Sequence, residues 1–136
     1  MNILRIIFLG CILFGASAEI VFAQDKSESS HDKFLLLRAK LPSLQTHELF
    51  VWQLDFAPGA VIGEHTHPGQ EVLLVTEGLL SVEVDGNKTI VEPGEVLLVP
   101  AGSKMSVQNL KTGATSRALQ VIVANRGQRP QKMVTE

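Results

Sequence analysis

The sequence predicts a single all-β domain, a small sandwich or barrel of short strands. Three observations carry this. Apolar and polar residues alternate with period two in several short runs, Gly- and Pro-rich turn signals separate those runs, and few stretches carry helical periodicity. The chain has 136 residues, 45% hydrophobic and 19% charged, which suits one core and leaves no room for a second domain between Phe50 and Ala124. Its formal net charge of −2 offers nothing to attract a phosphate backbone, and no nucleic-acid partner is expected.

Residues 1–23 read as an export signal rather than as part of the fold. Arg5 gives a short positive region, and "IIFLGCILFGASA" (Ile6 to Ala18) is apolar but too short to cross about 30 Å of hydrocarbon comfortably. Small-residue cleavage sites end at Ala18 and at Ala23. The later one is favoured because the polar run "QDKSESSHDK" follows at once. An uncleaved anchor and lipid attachment at Cys11 are the alternatives. Cleavage after Ala23 implies a periplasmic or secreted protein without stable membrane association, and it removes Cys11, the sole cysteine. Any metal site must then use nitrogen, oxygen or thioether donors.

Residues 24–49 read as a flexible leader and an N-terminal segment. Residues 24–33 are polar, and "FLLLRAKLPSL" (Phe34 to Leu44) could begin as a strand or a helix until Pro42 stops it. The barrel is placed at residues 50–124. "FVWQLDF" sets Phe50, Trp52, Leu54 and Phe56 on one face and ends at Pro58-Gly59. "EVLLVTEG" and "LLSVEVDG" follow, the latter with Leu80, Val82 and Val84 on one side. Asp85-Gly86 before Asn87 signals a hairpin with a primed turn, where positive φ is needed. "KTIVEPG", "EVLLVPAG", "KMSVQN" and "ALQVIVAN" complete the strands, and residues 125–136 read as a loosely held polar tail.

Chemistry is concentrated in "GEHTHPGQE", residues 63–71. If residues 65 to 67 are extended, His65 and His67 share a face, and Glu71 follows after a Pro68-Gly69 bend. Two imidazoles and a carboxylate have the composition of a two-His, one-carboxylate metal site with open positions. Spacing alone leaves a polar turn equally open.

The wider frame decides. Gly59, His65-Thr66-His67, Glu71 and Gly78, followed by Gly94, Pro100-Ala101-Gly102, Met105 and Asn109, resemble the two motifs of the cupin superfamily at proper separation, of the small single-domain type. The resemblance implies a small cupin-type β-barrel (jelly roll) with His65, His67 and Glu71 pointing inward to hold a divalent ion (Fe, Mn, Zn, Ni or Cu), and it makes a homodimer reasonable. Gly59, Gly78, Gly94 and Gly102 would serve turns where a Cβ clashes. Val61, Leu73, Val75, Leu80, Val82, Leu97, Val99 and Val121 would form the wall and core. The chain departs from the pattern at Met105, where cupins usually carry the fourth ligand, a histidine. A thioether is neutral and soft, so Met105 is either pocket wall, leaving a three-ligand site, or a ligand that favours copper.

Other polar residues carry less. His31 falls in the leader and reads as solvated, and His47 as a surface residue. Arg38 and Lys40 read as a solvated edge, and no tyrosine is available as a phenolic acid. The expectation is an exported cupin with a metal site and a small-molecule pocket, with metal-dependent, dioxygenase-like chemistry. The alternative is a non-catalytic binding cupin with a degenerate metal site.

Overall fold

The computed structural model describes residues 30–134, and all of their regular structure is strand. Ten strands run in chain order: β1 (His31–Leu41), β2 (Leu44–Phe56), β3 (Val61–Thr66), β4 (Gln70–Glu77), β5 (Leu80–Val84), β6 (Asn87–Val91), β7 (Val96–Val99), β8 (Lys104–Asn109), β9 (Ser116–Asn125) and β10 (Lys132–Met133). They form two five-stranded sheets, ordered β1-β2-β9-β4-β7 and β10-β3-β8-β5-β6, with antiparallel pairing throughout. This is the all-β architecture that the alternation predicts, in the jelly-roll arrangement that the resemblance implies. The export signal at residues 1–23 lies outside the described residues.

Alternation builds the core. Phe50, Trp52, Leu54 and Phe56 of β2 are all buried, as are Leu73 and Val75 of β4 and Leu80 and Val82 of β5. Asp85 at φ 47 and Gly86 at φ 81 make the primed turn between β5 and β6. Asn109 is the polar hub at one end. Its Nδ2 donates to the carbonyls of Phe56, Ala57 and Ala114, and its Oδ1 accepts from Lys111 N and Ser116 Oγ. Gly78 is tied to the same hub, because a Cβ there would stand 2.0 Å from Ser116 Oγ at a φ of +83. At Gly59, Gly94 and Gly102 the space is open, so a positive φ and not a clash selects glycine.

Four expectations are corrected. The sheet begins at His31 rather than Phe50: β1 ladders along β2 from His31↔Phe56 to Leu41↔Leu44. From Phe34 to Arg38 this edge strand is exposed on both faces and shows no alternation to read, and a register shift beside Leu36 blurs it further. The polar tail is not wholly loose, since Lys132 and Met133 pair with Thr66 and His65 through backbone groups that need no apolar pattern. Val61 is 47% exposed and its neighbour Ile62 is buried instead. A register shift between Ile62 and His65 then changes parity, so that an even and an odd position of β3 both face inward. Val121 likewise faces outward, because the even residues of β9, from Ser116 to Ala124, line the interior.

Candidate metal centre

The two sheets bring the predicted residues together inside the barrel. His65 comes from β3, His67 from the bend that follows it, Glu71 from β4 and Met105 from β8, and each is at most 2% exposed. His65 is paired across the ladder with Met105. Gly102 N donates to the His67 carbonyl at 2.8 Å, pinning the bend to the loop before β8. The chain closes tightly here, since a Cβ on Gly69 would lie 1.9 Å from the Val123 carbonyl oxygen.

Hydrogen bonds set the tautomers. His65 Nδ1 lies 2.8 Å from the Gly63 carbonyl and His67 Nδ1 bonds the Pro130 carbonyl. A carbonyl only accepts, so both Nδ1 atoms carry the proton and both Nε2 atoms offer a lone pair. The imidazoles meet edge to face, with ring centroids 4.9 Å apart. Glu71 Oε1 accepts from Gln120 Nε2 at 2.9 Å. Its other oxygen, Oε2, stands 3.1 Å from His67 Nε2, and neither of these buried atoms has a hydrogen-bond partner.

Two lone pairs therefore face each other in a buried interior, and a contact of that kind needs an electrophile between them, a proton or a metal ion. A spacing of 3.1 Å suits two adjacent ligands of one ion at about 2.1 Å each. The donor chemistry thus fits a divalent ion. Convergence is incomplete, since among the described residues no group of three or more His, Cys, Asp or Glu is gathered closely enough to hold one. His67 and Glu71 are aimed at each other, and His65 stands beside them.

The surroundings are apolar enough to change ionisation. Burial pushes both imidazoles below the ordinary histidine value, against the pull of their backbone carbonyls. Burial pushes the Glu71 carboxyl up, against the Gln120 amide and nearby positive charge. Lys33 of β1 reaches the same interior. Burial pushes its ammonium down while Glu71 holds it up, and its Nζ sits 4.3 Å from the Trp52 ring centroid and 3.4 Å from Gln131 Oε1.

An inner cavity of about 10 Å³ is lined by Lys33, His65, Glu71, Met105, Gln120 and Gln131, among others. That is room for about one water, and an organic ligand requires movement. Met105 is part of this wall.

Three contributors escaped the sequence reading. His31 is half-buried, stacks on Phe56 with centroids 6.2 Å apart and lines the cavity, because it begins a strand rather than trailing from a leader. Lys33 follows it two residues on and faces the same way, and nothing in the local pattern marks it. Gln120 was legible, as the one polar side chain among the inward positions Ala118, Gln120, Ile122 and Ala124. Arg38 is paired with Glu48 at 2.8 Å, and His47 contacts Thr46 Oγ1, so both are set apart from the site.

Comparison with known proteins agrees with this architecture. The family model described as "Cupin domain" matches residues 52–122. The chain is similar to germin-like protein subfamily 1 member 5 of Arabidopsis thaliana, 33% identical over 105 residues that cover 70% of this chain and 45% of the relative. It is also similar to tetracenomycin polyketide synthase protein TcmJ of Streptomyces glaucescens, 34% identical over 61 residues, 44% of this chain and 41% of that one. The chain thus spans less than half the length of these curated relatives. Among solved structures, a cupin-like protein from Thermotoga maritima superposes with a TM-score of 0.64 at 18% identity, covering 79% of this chain and 78% of the other. A cupin superfamily protein from Desulfitobacterium hafniense gives 0.60 at 19%, covering 72% and 81%. At such identities the likeness shows the fold alone.

Proposed function

The chain belongs to the cupin domain family, and from that premise we propose that it is an exported protein whose barrel holds one divalent metal ion on His65, His67 and Glu71. The observation that carries this reading is the pair of unpartnered, buried lone pairs on His67 Nε2 and Glu71 Oε2, 3.1 Å apart. The third donor is His65, whose Nε2 is left free by its bond to Gly63. Met105 is wall and not ligand, leaving positions open for a small ligand.

Each residue has a task in this reading. Gln120 fixes one oxygen of Glu71 and so aims the other at His67. The carbonyls of Gly63 and Pro130 set the tautomers. Glu71 supplies the negative charge and, in turnover, a base. A bound ion would supply Lewis-acid polarisation and, if redox-active, dioxygenase-like chemistry. The donor set admits Fe, Mn, Zn, Ni or Cu. A second reading, a non-catalytic small-molecule binder with a degenerate site, is favoured by the apolar Met105 and the small cavity.

The reading extends to a homodimer. β1 is an edge strand whose Leu35, Leu36 and Leu37 are about half exposed. Two-fold antiparallel pairing about Leu36 would set Asp32 of each copy opposite Lys40 of the other.

Elemental mass spectrometry on untagged chain beginning at Gln24 tests the metal. Near-stoichiometric metal that disappears in His65→Ala and survives in Met105→Leu supports the three-donor site. Loss in both variants makes Met105 a ligand and points to copper. No metal in the wild type, after anaerobic reconstitution with several ions, rejects the metal reading and leaves the binder.

A further inference from the structure

The segment Pro130–Val134 rides on the histidine stretch residue by residue. The Pro130 carbonyl accepts from His67 Nδ1–H, Gln131 lines the cavity and accepts from Lys33, Lys132 and Met133 pair with Thr66 and His65, and Val134 N donates to the Glu64 carbonyl at 3.0 Å. Its hold is nevertheless slight. β10 is two residues long, Lys132, Met133 and Val134 are exposed, and none of the five residues is buried. Elements fastened mainly by exposed backbone bonds open far below the cost of global unfolding.

What the segment covers is the centre itself. With it closed, the cavity has about 10 Å³, room for a water and little more. The Pro130 bond also decides which nitrogen of His67 faces Glu71. A neutral imidazole released from it favours the Nε2–H tautomer found in water. That proton would lie between His67 and Glu71 Oε2, joining the two donors to each other and closing them to a cation.

We propose that Pro130–Val134 is a gating strap, which admits ligand to the barrel when lifted and, when seated, uses the Pro130 carbonyl to hold His67 in the tautomer that leaves Nε2 free beside Glu71. Pro130 is thus a positioning residue acting through its backbone, and entry is coupled to arming of the donor pair. The inference rests on the reading of His67 and Glu71 as a metal-donor pair, and its test separates the two.

Four chains are compared: the chain from Gln24, the same chain ending at Arg129, Pro130→Ala, which keeps the carbonyl, and Val134→Pro, which removes the N–H bonded to Glu64 and loosens the strap at full length. Imidazole ¹⁵N NMR on metal-free protein reads the tautomer, and diethyl pyrocarbonate modification followed by mass spectrometry reads access to His65 and His67. In the wild type and in Pro130→Ala, His67 is expected as Nδ1–H and both histidines as slowly modified. In the shortened chain His67 becomes Nε2–H and modification rises at least tenfold, with Val134→Pro between. Cobalt(II) uptake adds a third readout, with affinity falling about 10- to 100-fold in the shortened chain, the usual effect of losing a group that orients a ligand. An unchanged tautomer, or unchanged modification in both loosened chains, overturns the strap. Should the shortened chain not fold, Val134→Pro decides alone. Absence of cobalt binding in the wild type removes the metal reading, while the tautomer and modification results still decide the strap.

Discussion

Replacing Glu71 by Gln should stabilise the metal-free protein while abolishing its response to metal. Glu71 is fully buried, with Oε1 accepting from Gln120 Nε2 at 2.9 Å and Oε2 facing the His67 Nε2 lone pair at 3.1 Å. A glutamine in the same rotamer keeps its oxygen on Gln120 and turns its amide nitrogen to His67, so two opposed lone pairs become a donor and an acceptor. A net hydrogen bond contributes about 1 kcal/mol, and relieving an unsatisfied buried group about 1–3 kcal/mol. A gain of about 2 kcal/mol corresponds to roughly 8–16 °C in Tm for a domain near 100 residues. The pH dependence supplies a sign. Burial raises the folded pKa of Glu71 above its ordinary 4.5, so the contribution of Glu71 to stability is fully present below that value and is lost as pH rises through the folded pKa, while the lowered histidines are common to both chains and cancel in the comparison. The Gln variant does not titrate there, and its advantage should be near zero at pH 4 and grow toward neutrality. Chemical denaturation in EDTA across pH 4–8, with a parallel cobalt(II) series at neutral pH, measures both effects. A variant less stable than wild type at pH 7, or one that still gains stability from cobalt, would refute the assignment of facing lone pairs.

Three further expectations follow from single contacts. Asn109→Ala leaves the carbonyls of Phe56, Ala57 and Ala114 and the groups of Lys111 and Ser116 without their partner, and urea denaturation should show a loss of about 3 kcal/mol, since unsatisfied buried groups dominate. Lys33→Met removes a half-buried ammonium from the cavity wall while keeping its stem against Trp52, so cobalt(II) affinity by titration calorimetry should rise, on the order of tenfold for one like charge removed from a low-dielectric site. Leu36→Lys places a charge at the centre of the exposed β1 edge, and sedimentation velocity should find a dimer for the wild type and a monomer for the variant.

The fold was legible wherever one face of a strand meets the core and the other meets solvent. β2 satisfies this, with Phe50, Trp52, Leu54 and Phe56 buried, and β9 satisfies it only in part, because Leu119, Val121 and Val123 are apolar on its outward face and mask which face is inward. β1 does not. Its Phe34 to Leu37 run is exposed on both faces, so its strand character comes from laddering on β2 and not from burial. Val61 was expected in the wall of the barrel, whereas the register shift between Ile62 and His65 resets the parity and puts Ile62 inward instead. A bulge is a two-strand property and leaves no mark in the one strand read alone.

The same distinction governs the site. His65, His67 and Glu71 come from one short stretch and could be read together, but what surrounds them arrives from the ends of the described chain, Lys33 from β1 and Gln131 from the segment before β10. Among the cavity-lining residues Glu71 is the one carboxylate and Lys33 the one ammonium, so their formal charges cancel. A divalent ion placed there would leave the interior with an uncompensated double charge, which a low-dielectric site opposes strongly. Loading is easier if Lys33 withdraws, and Lys33 is held in place by Gln131. Lifting the Pro130–Val134 segment opens the cavity and frees that cation, but it also releases His67 from the Pro130 carbonyl, and the lost tautomer outweighs the gain, so the centre binds tightest with the segment seated. That ties the affinity of the centre to the most weakly fastened strand of the fold and explains why the motif that supplies the donors does not by itself complete the site.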